Sequence, residues 1–211
     1  MLKSNIYTIV GRDYLSNILE NVKKGNILIH KYHRPYQWTD TQVVKLFDSI
    51  IKGYPIGSLI FWEADKDSEY IIKNNKQIII DGVQRINALY NKLFKDSNII
   101  IDLELMRVTK CLSNNTNLND FRYLDFRTIF DTYRLMNYIE NLQNSNVNQH
   151  LIMKYVQGAK EINRRLKAYE IPYVIVNGGD ISDIKEIIAR INGTPNDNIN
   201  DDSFDNYSLG A

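Results

Sequence analysis

Residues 77 to 94 read QIIIDGVQRINALYNKLF, and the pattern changes character at its centre. Up to Asp81 it is a run of apolar β-branched residues, as a buried strand requires. From Ile86 the apolar residues recur at Leu89, Tyr90, Leu93 and Phe94, the spacing of one helix face. A strand that passes straight into a helix commits the chain to a fold mixing both. The joint, DGVQR, puts an acid, a glycine, an amide and an arginine at the end of that strand. Gly82 permits a sharp turn or a close backbone approach. The helix beyond it opens with unsatisfied N–H groups and a positive dipole end, and Arg85 adds a forked cation. Together these parts can form an anion site suited to phosphate. Asp81 is then a candidate Mg²⁺ ligand or water-orienting group. Gln84 is a candidate to position a water or to touch a base or ribose. The same residues equally suit a plain joint, in which Asp81 caps the helix, Gly82 shapes the turn and Arg85 pairs with Asp81. No G-x-x-x-x-G-K-[ST] occurs, so the joint is not a P-loop.

The rest of the chain alternates the same two periods. IYTIV at 6–10 reads as a strand. Tyr14, Leu15, Ile18, Leu19 and Val22 then share a helix face, with Asp13 placed to cap it and Gly25 just past its end. NILIH at 26–30 is a second strand. Thr39 and Gln42 have capping-box spacing for a helix that carries Val43, Val44, Leu46, Phe47, Ile50 and Ile51 and ends at Gly53. SLIFWE at 58–63 is a strand, and EYIIK at 69–73 with QIIID reads as a hairpin turning at Asn74 and Asn75. NIIIDLEL at 98–105 reads as one strand. Residues 118–169 are mostly helical, with a break at QNSNVNQ. IPYVIV at 171–176 returns to strand, NGGD turns, and Ile184, Ile187, Ile188 and Ile191 mark a last helix. The expectation is an α+β fold, a small mixed sheet with packed helices. It forms one domain over residues 1–200, with a helical subdomain inserted at about 118–169 and a polar, acidic tail at 201–211.

Composition narrows the function classes. A chain of 211 residues, 44% apolar, can bury a sizeable core. Its formal net charge of +1 gives no global field toward nucleic acid or an anionic membrane. Any DNA contact needs a local patch, for which Lys23, Lys24, Arg164, Arg165 and Lys167 are candidates; a solvated helix face explains them as well. One cysteine, Cys111, excludes an intrachain disulfide framework and lacks a nucleophile's context. His30 and His33 have no second ligand pair at metal-site spacing. No apolar run approaches the roughly 20 residues of a membrane span, and the N-terminus has no signal-peptide core. The expected setting is soluble and cytoplasmic.

Two further stretches carry chemistry. HRPYQW at 33–38 clusters Arg34, Tyr36, Gln37 and Trp38 after a strand. It can supply a stacking face for a base and a second phosphate-binding arginine, or simply a rigid turn whose aromatics close the core. RINGTP at 190–195 ends a helix in an Asn-Gly turn, and alone is a C-cap.

Taken in order, HRPYQW, SIIKGYPIGSLIFWE, IIIDGVQRINALY and IARINGTPNDNI make the chain similar to the N-terminal domain of GmrSD-type restriction systems, over about residues 10 to 200. That family carries a hallmark Asp-Gly-Gln-Gln-Arg, an upstream Gln-Arg-Pro-Tyr-x-Trp and a downstream Arg-x-Asn-x-x-Gly-x-x-Leu. The resemblance implies a core like the nucleotide-binding fold of ParB and sulfiredoxin, elaborated with helices. It implies a nucleotide-hydrolysing or nucleotide-sensing module of bacterial defence, often joined to an HNH nuclease. By the resemblance, the functional acid, glycine, glutamine and arginine fall on Asp81, Gly82, Gln84 and Arg85. The upstream arginine, tyrosine and tryptophan fall on Arg34, Tyr36 and Trp38, and the downstream asparagine on Asn192. Val83 replaces the first glutamine of the hallmark, His33 stands where glutamine is usual, and the downstream motif is shortened at Gly193 to Pro195. No HNH-like His/Asn cluster follows residue 200.

The expectation is therefore a module of a bacterial or phage DNA-targeting system that binds, and in the fuller reading hydrolyses, a nucleoside triphosphate of open base identity. Asp81, Gln84 and Arg85 would be catalytic, with Mg²⁺ on Asp81. Gly82, Arg34, Tyr36, Trp38 and Asn192 would hold the nucleotide. The alternatives are a non-catalytic module that binds DNA or protein beside a separate nuclease, or a regulatory partner of such a nuclease.

Overall fold

In the computed structural model, which describes residues 5–29, 37–63, 77–95, 98–110 and 120–192, the apolar runs pair into two sheets. The chain divides into two compact units. Among the described residues the first comprises 5–29, 37, 57–63, 77–84 and 170–192, and the second 38–56, 85–95, 98–110 and 120–169. The architecture is α+β, as the alternation of periods indicates. No helix among the described residues is long and apolar enough to cross a membrane.

The first unit is built on a five-stranded mixed sheet. Its strands are β1 (Tyr7–Tyr14), β2 (Ile27–Ile29), β3 (Leu59–Glu63), β4 (Gln77–Asp81) and β8 (Glu170–Asn177), in the order β1-β8-β3-β4-β2. β1 runs antiparallel to β8, β8 parallel to β3, β3 antiparallel to β4, and β4 parallel to β2. Helices α1 (Leu15–Lys23) and α7 (Ile181–Asn192) complete the unit. Ile78 and Ile80 share one face of β4 and pack with Leu28, Trp62, Val176 and Ile184. Burying each such side chain contributes about 1.5–3 kcal/mol. The Trp62 Nε1–H donates to the Gly178 carbonyl at 3.0 Å, so its one polar group is satisfied inside.

Two local expectations change here. The first strand does not stop at Val10 but runs to Tyr14, because β1 pairs with β8 over eight residues. Tyr14 therefore leaves the predicted helix face. It is exposed, stands at the helix's capping position, and caps through no side chain. Asp13 lies within the strand, and its carboxylate accepts from the Asn17 side chain and the Tyr14 amide. The proposed hairpin partner of β4, residues 69–73, lies outside the described residues. Gly11 faces Tyr173 across β1 and β8; a Cβ there would sit 2.7 Å from the end of the tyrosine ring, so a larger residue would push that ring aside.

The second unit holds α2 (Asp40–Lys52), a three-stranded antiparallel sheet of β5 (Ile99–Asp102), β6 (Arg107–Lys110) and β7 (Tyr123–Asp125), and helices α4 (Phe126–Phe130), α5 (Thr132–Gln143) and α6 (Gln149–Ala168). Thr39 and Gln42 form the predicted capping box, and Gly53 closes α2 at φ 72°. Phe47 meets Phe126 with ring centroids 4.4 Å apart. The strand expected over 98–105 ends at Asp102. That carboxylate accepts the Glu104 and Leu105 amides and a two-bond grip from Arg122 at 2.9 and 2.7 Å, which turns the chain back into β6. The expected helical stretch also contains β7, paired to β5.

Candidate functional site

β4 delivers Asp81, half-buried, opposite Ile60, where the register of β3 is irregular. Gly82 follows at φ 89°, a left-handed conformation that a side chain would strain. The next helix, α3 (Val83–Tyr90), continues into a π-helical turn at Asn91–Lys95. Gly82 is thus the residue immediately before the first helical one, and Asp81 stands one place too early to be the N-cap. Val83, Ile86 and Leu89 point into the core, and Val83 is only 3% exposed. Gln84 and Arg85, on the half-buried side, are the polar residues the first turn presents. The Gln84 Oε1 accepts the Gln37 backbone N–H at 3.2 Å, so the joint and the HRPYQW stretch meet although 47 residues separate them. The boundary of the two units falls after Gln84, inside α3.

Arg85 is not drawn into the core. Its Nη1 donates to the Ile56 carbonyl at 2.8 Å, holding the guanidinium against the loop that follows α2. That loop is itself fixed: the Tyr169 hydroxyl donates to the Tyr54 carbonyl and Arg165 Nη1 to the Ile51 carbonyl, both at 2.6 Å. Beside them the second unit has an open pocket of about 320 Å³, near the lower end of the roughly 300–1,000 Å³ usual for ligand sites. Arg85 and Lys45 line it with charge, Gln42 and Ser49 with an amide and a hydroxyl, and Trp38 and Ile56 with apolar surface. Among the described residues that line it, none is acidic.

The structure therefore brings Trp38 and Arg85 onto one cavity. It places Asp81, Gly82 and Gln84 at the end of the sheet in the first unit. Arg34 and Tyr36 lie outside the described residues. Asn192 ends α7, and its side chain is likewise outside them. α7 follows β8 and packs through Ile184 against Ile78 and Ile80 of β4. Sequence reasoning read Gln42 only as part of a capping box and did not single out Lys45 and Ser49. The signal was their spacing of three and four residues on the α2 face opposite Val43, Phe47 and Ile50.

The cations away from the pocket have local partners. Arg164 and Arg165 both grip Glu161, at 2.8 and 2.6 Å, and Lys24 pairs with Glu20 at 3.6 Å. Hydrogen bonds from Arg164 and Arg165 lower Glu161 to about 2. Lys167 donates to the Thr132 hydroxyl. Four of the cations considered for DNA are thus engaged locally. Among the described residues, no three His, Cys, Asp or Glu side chains converge as a metal cluster.

A family model described as the N-terminal domain of the GmrSD restriction endonuclease matches residues 15–197. The match takes in α1 through α7, the Asp81–Arg85 joint, Trp38 and the pocket of the second unit. No curated protein matches the chain.

Proposed function

The chain belongs to the family of GmrSD restriction endonuclease N-terminal domains, and from that membership we propose that it binds, and hydrolyses, a nucleoside triphosphate within a DNA-targeting restriction system. The family sets the restriction context. The observation that supports nucleotide binding is that Trp38 and Arg85, drawn from two separate motifs, line one cavity of ligand size. An indole offers a face on which any base can stack, and a guanidinium offers several N–H donors to phosphate oxygens. The bond to the Ile56 carbonyl orients Arg85 before a ligand arrives, which reduces the ordering cost of binding.

In this reading Arg85 neutralises charge on the phosphates. Gln84, its carbonyl oxygen held by the Gln37 amide, orients a water or a nucleotide hydroxyl. Gly82 lets backbone approach the ligand closely. Arg34, Tyr36 and Asn192 complete the nucleotide contacts. Mg²⁺ is commonly held by one or two carboxylates together with substrate phosphates, so a single half-buried Asp81 suits it and an all-protein cage is not required. When bound, the ion would supply neutralisation of phosphate charge. The five-stranded mixed sheet would be the ParB/sulfiredoxin-like core, and the domain would act in the cytoplasm.

Titration with labelled GTP, ATP and CTP in the presence of Mg²⁺ tests the proposal. Saturable binding of at least one is expected, weakened at least tenfold by Arg85→Ala with the fold retained by circular dichroism. Absence of saturable binding for all three would overturn it. DNA binding without nucleotide binding would favour the non-catalytic alternative.

A further inference from the structure

We propose that a second copy of this chain docks on β1, the two β1 strands pairing antiparallel about a two-fold axis at Val10 so that their sheets become continuous. β1 is an edge strand: β8 pairs with one side of it, and no described strand pairs with the other. Edge strands are usually kept short, or guarded by proline, lysine or an inward charge, because their free N–H and C=O groups invite another strand. β2, at the opposite edge, is three residues long. β1 is eight residues long and has neither proline nor lysine. It exposes apolar side chains on both faces: Tyr7 is 60% exposed and Ile9 48% on one, and Val10 76% on the other. Its charges, Arg12 and Asp13, stand together toward one end and bond back to their own chain. Arg12 Nη1 lies 3.3 Å from the Glu170 carboxylate, and the Asp13 carboxylate accepts from the Asn17 side chain.

The order of residues along the strand identifies the occupant as a second copy. A two-fold axis normal to a sheet keeps each face on its own side, and side chains alternate between faces. Odd-numbered residues of β1 therefore oppose odd-numbered ones, even oppose even, and the axis passes through a residue. Two registers leave only one residue of each β1 unpaired, with the axis at Val10 or at Gly11. At Gly11, Arg12 falls opposite the partner's Val10 and Asp13 opposite the partner's Ile9, which sets both charges on apolar neighbours. At Val10, the two Val10 side chains meet, Ile9 meets the partner's Gly11, Thr8 the partner's Arg12 and Tyr7 the partner's Asp13. The apolar residues then lie at the centre, each charge faces a hydroxyl able to bond it, and no like charges oppose. A strand pair of this length is a small interface, so the dimer should be weak and concentration-dependent. It consumes the β1 edge and leaves only the short β2 edge, so assembly closes at two copies.

Sedimentation equilibrium from low micromolar to near-millimolar concentration tests the proposal, on the wild type, Val10→Lys, Val10→Glu and an equimolar mixture of the two variants. The wild type should pass from monomer to dimer without larger species. Each variant alone brings like charges together at the axis and should weaken association about tenfold or more. The mixture sets lysine against glutamate there and should recover the dimer. Val10 is exposed, so the melting temperatures of dilute samples should stay together and report intact folding. A wild type that stays monomeric throughout would leave β1 to a different chain and overturn the proposal, as would open-ended assembly. A wild-type dimer that neither variant weakens would place the interface elsewhere. Variants that weaken it without recovery in the mixture would show that Val10 does not oppose itself, and the proposed pairing would be wrong.

Discussion

Each unit buries an apolar core, but the two differ in what else fixes the chain. In the first, strands from three separated stretches of chain pair in register, and Trp62, Ile78, Ile80 and Val176 bury one face against α7. In the second, side chains reach across to backbone carbonyls at the turns: Arg85 to Ile56, Arg165 to Ile51, Tyr169 to Tyr54, Arg127 to Lys95, Asn163 to Ile129 and Tyr138 to Phe121. Burial is non-directional and tolerates approximate fit, whereas a hydrogen bond sets an angle and a distance. The sheet unit thus supplies a rigid strand end for Asp81, and the second unit supplies loops whose positions are individually specified. The pocket lies in the second kind of structure, where geometry is set bond by bond.

The largest expected effect breaks this contrast at the sheet. Trp62→Ala removes a side chain that is 1% exposed and should destabilise the first unit by about 3–5 kcal/mol. Amide hydrogen exchange should show faster opening of β3, β4 and β8, with β5 and β6 little changed. Equal loss in β5 and β6 would mean that the two units are not separately stabilised.

A smaller effect, about 1–3 kcal/mol, is expected from Asp102→Asn in the second unit. Burial resists the Asp102 charge, but the Arg122 guanidinium and the Leu105 and Glu104 amides outweigh it, so the carboxyl titrates below its ordinary value of 3.8. Because the folded-state value is the lower one, the stabilisation is complete above 3.8 and is lost as pH falls through the folded-state value. Denaturant melts between about pH 2 and 6 should show a shallower acid decline in the variant than in the wild type. Parallel acid limbs would remove Asp102 from the account.

The smallest effect is expected at Glu161. Its two arginine partners make it the most depressed carboxyl described, yet the cluster lies on the surface, where water and salt screen it. Glu161→Gln should shift the melting temperature by no more than about 1 °C. A shift of several degrees would show that the Arg165 bond to Ile51 depends on Glu161 for its position.

Much of the fold is legible in the residues themselves. The capping box at Thr39 and Gln42, the left-handed stop at Gly53, and the passage from β4 through Gly82 into α3 follow from local patterns. β6 and β7 were not legible. They are four and three residues long and have no period to recognise. They are strands because β5 lies between them. The end of β5 was missed for a related reason: the Asp102 carboxylate that takes the Glu104 and Leu105 amides at the turn is also gripped by Arg122, twenty residues later. At the site, the motif pattern pointed to Trp38 and Arg85 but not to Lys45, which reaches the same cavity through its place on α2.

By itself, then, the sequence determined the family, the α+β alternation and the sharp glycine turn that ends β4, because periodicity, steric freedom and motif order are properties of short stretches. Tertiary structure alone decided that Val83 faces inward, that Gln84 meets Gln37, and that Trp38, Lys45 and Arg85 share a cavity. Those outcomes depend on which distant segments come into contact, and no local pattern encodes the partner of a side chain 40 residues away.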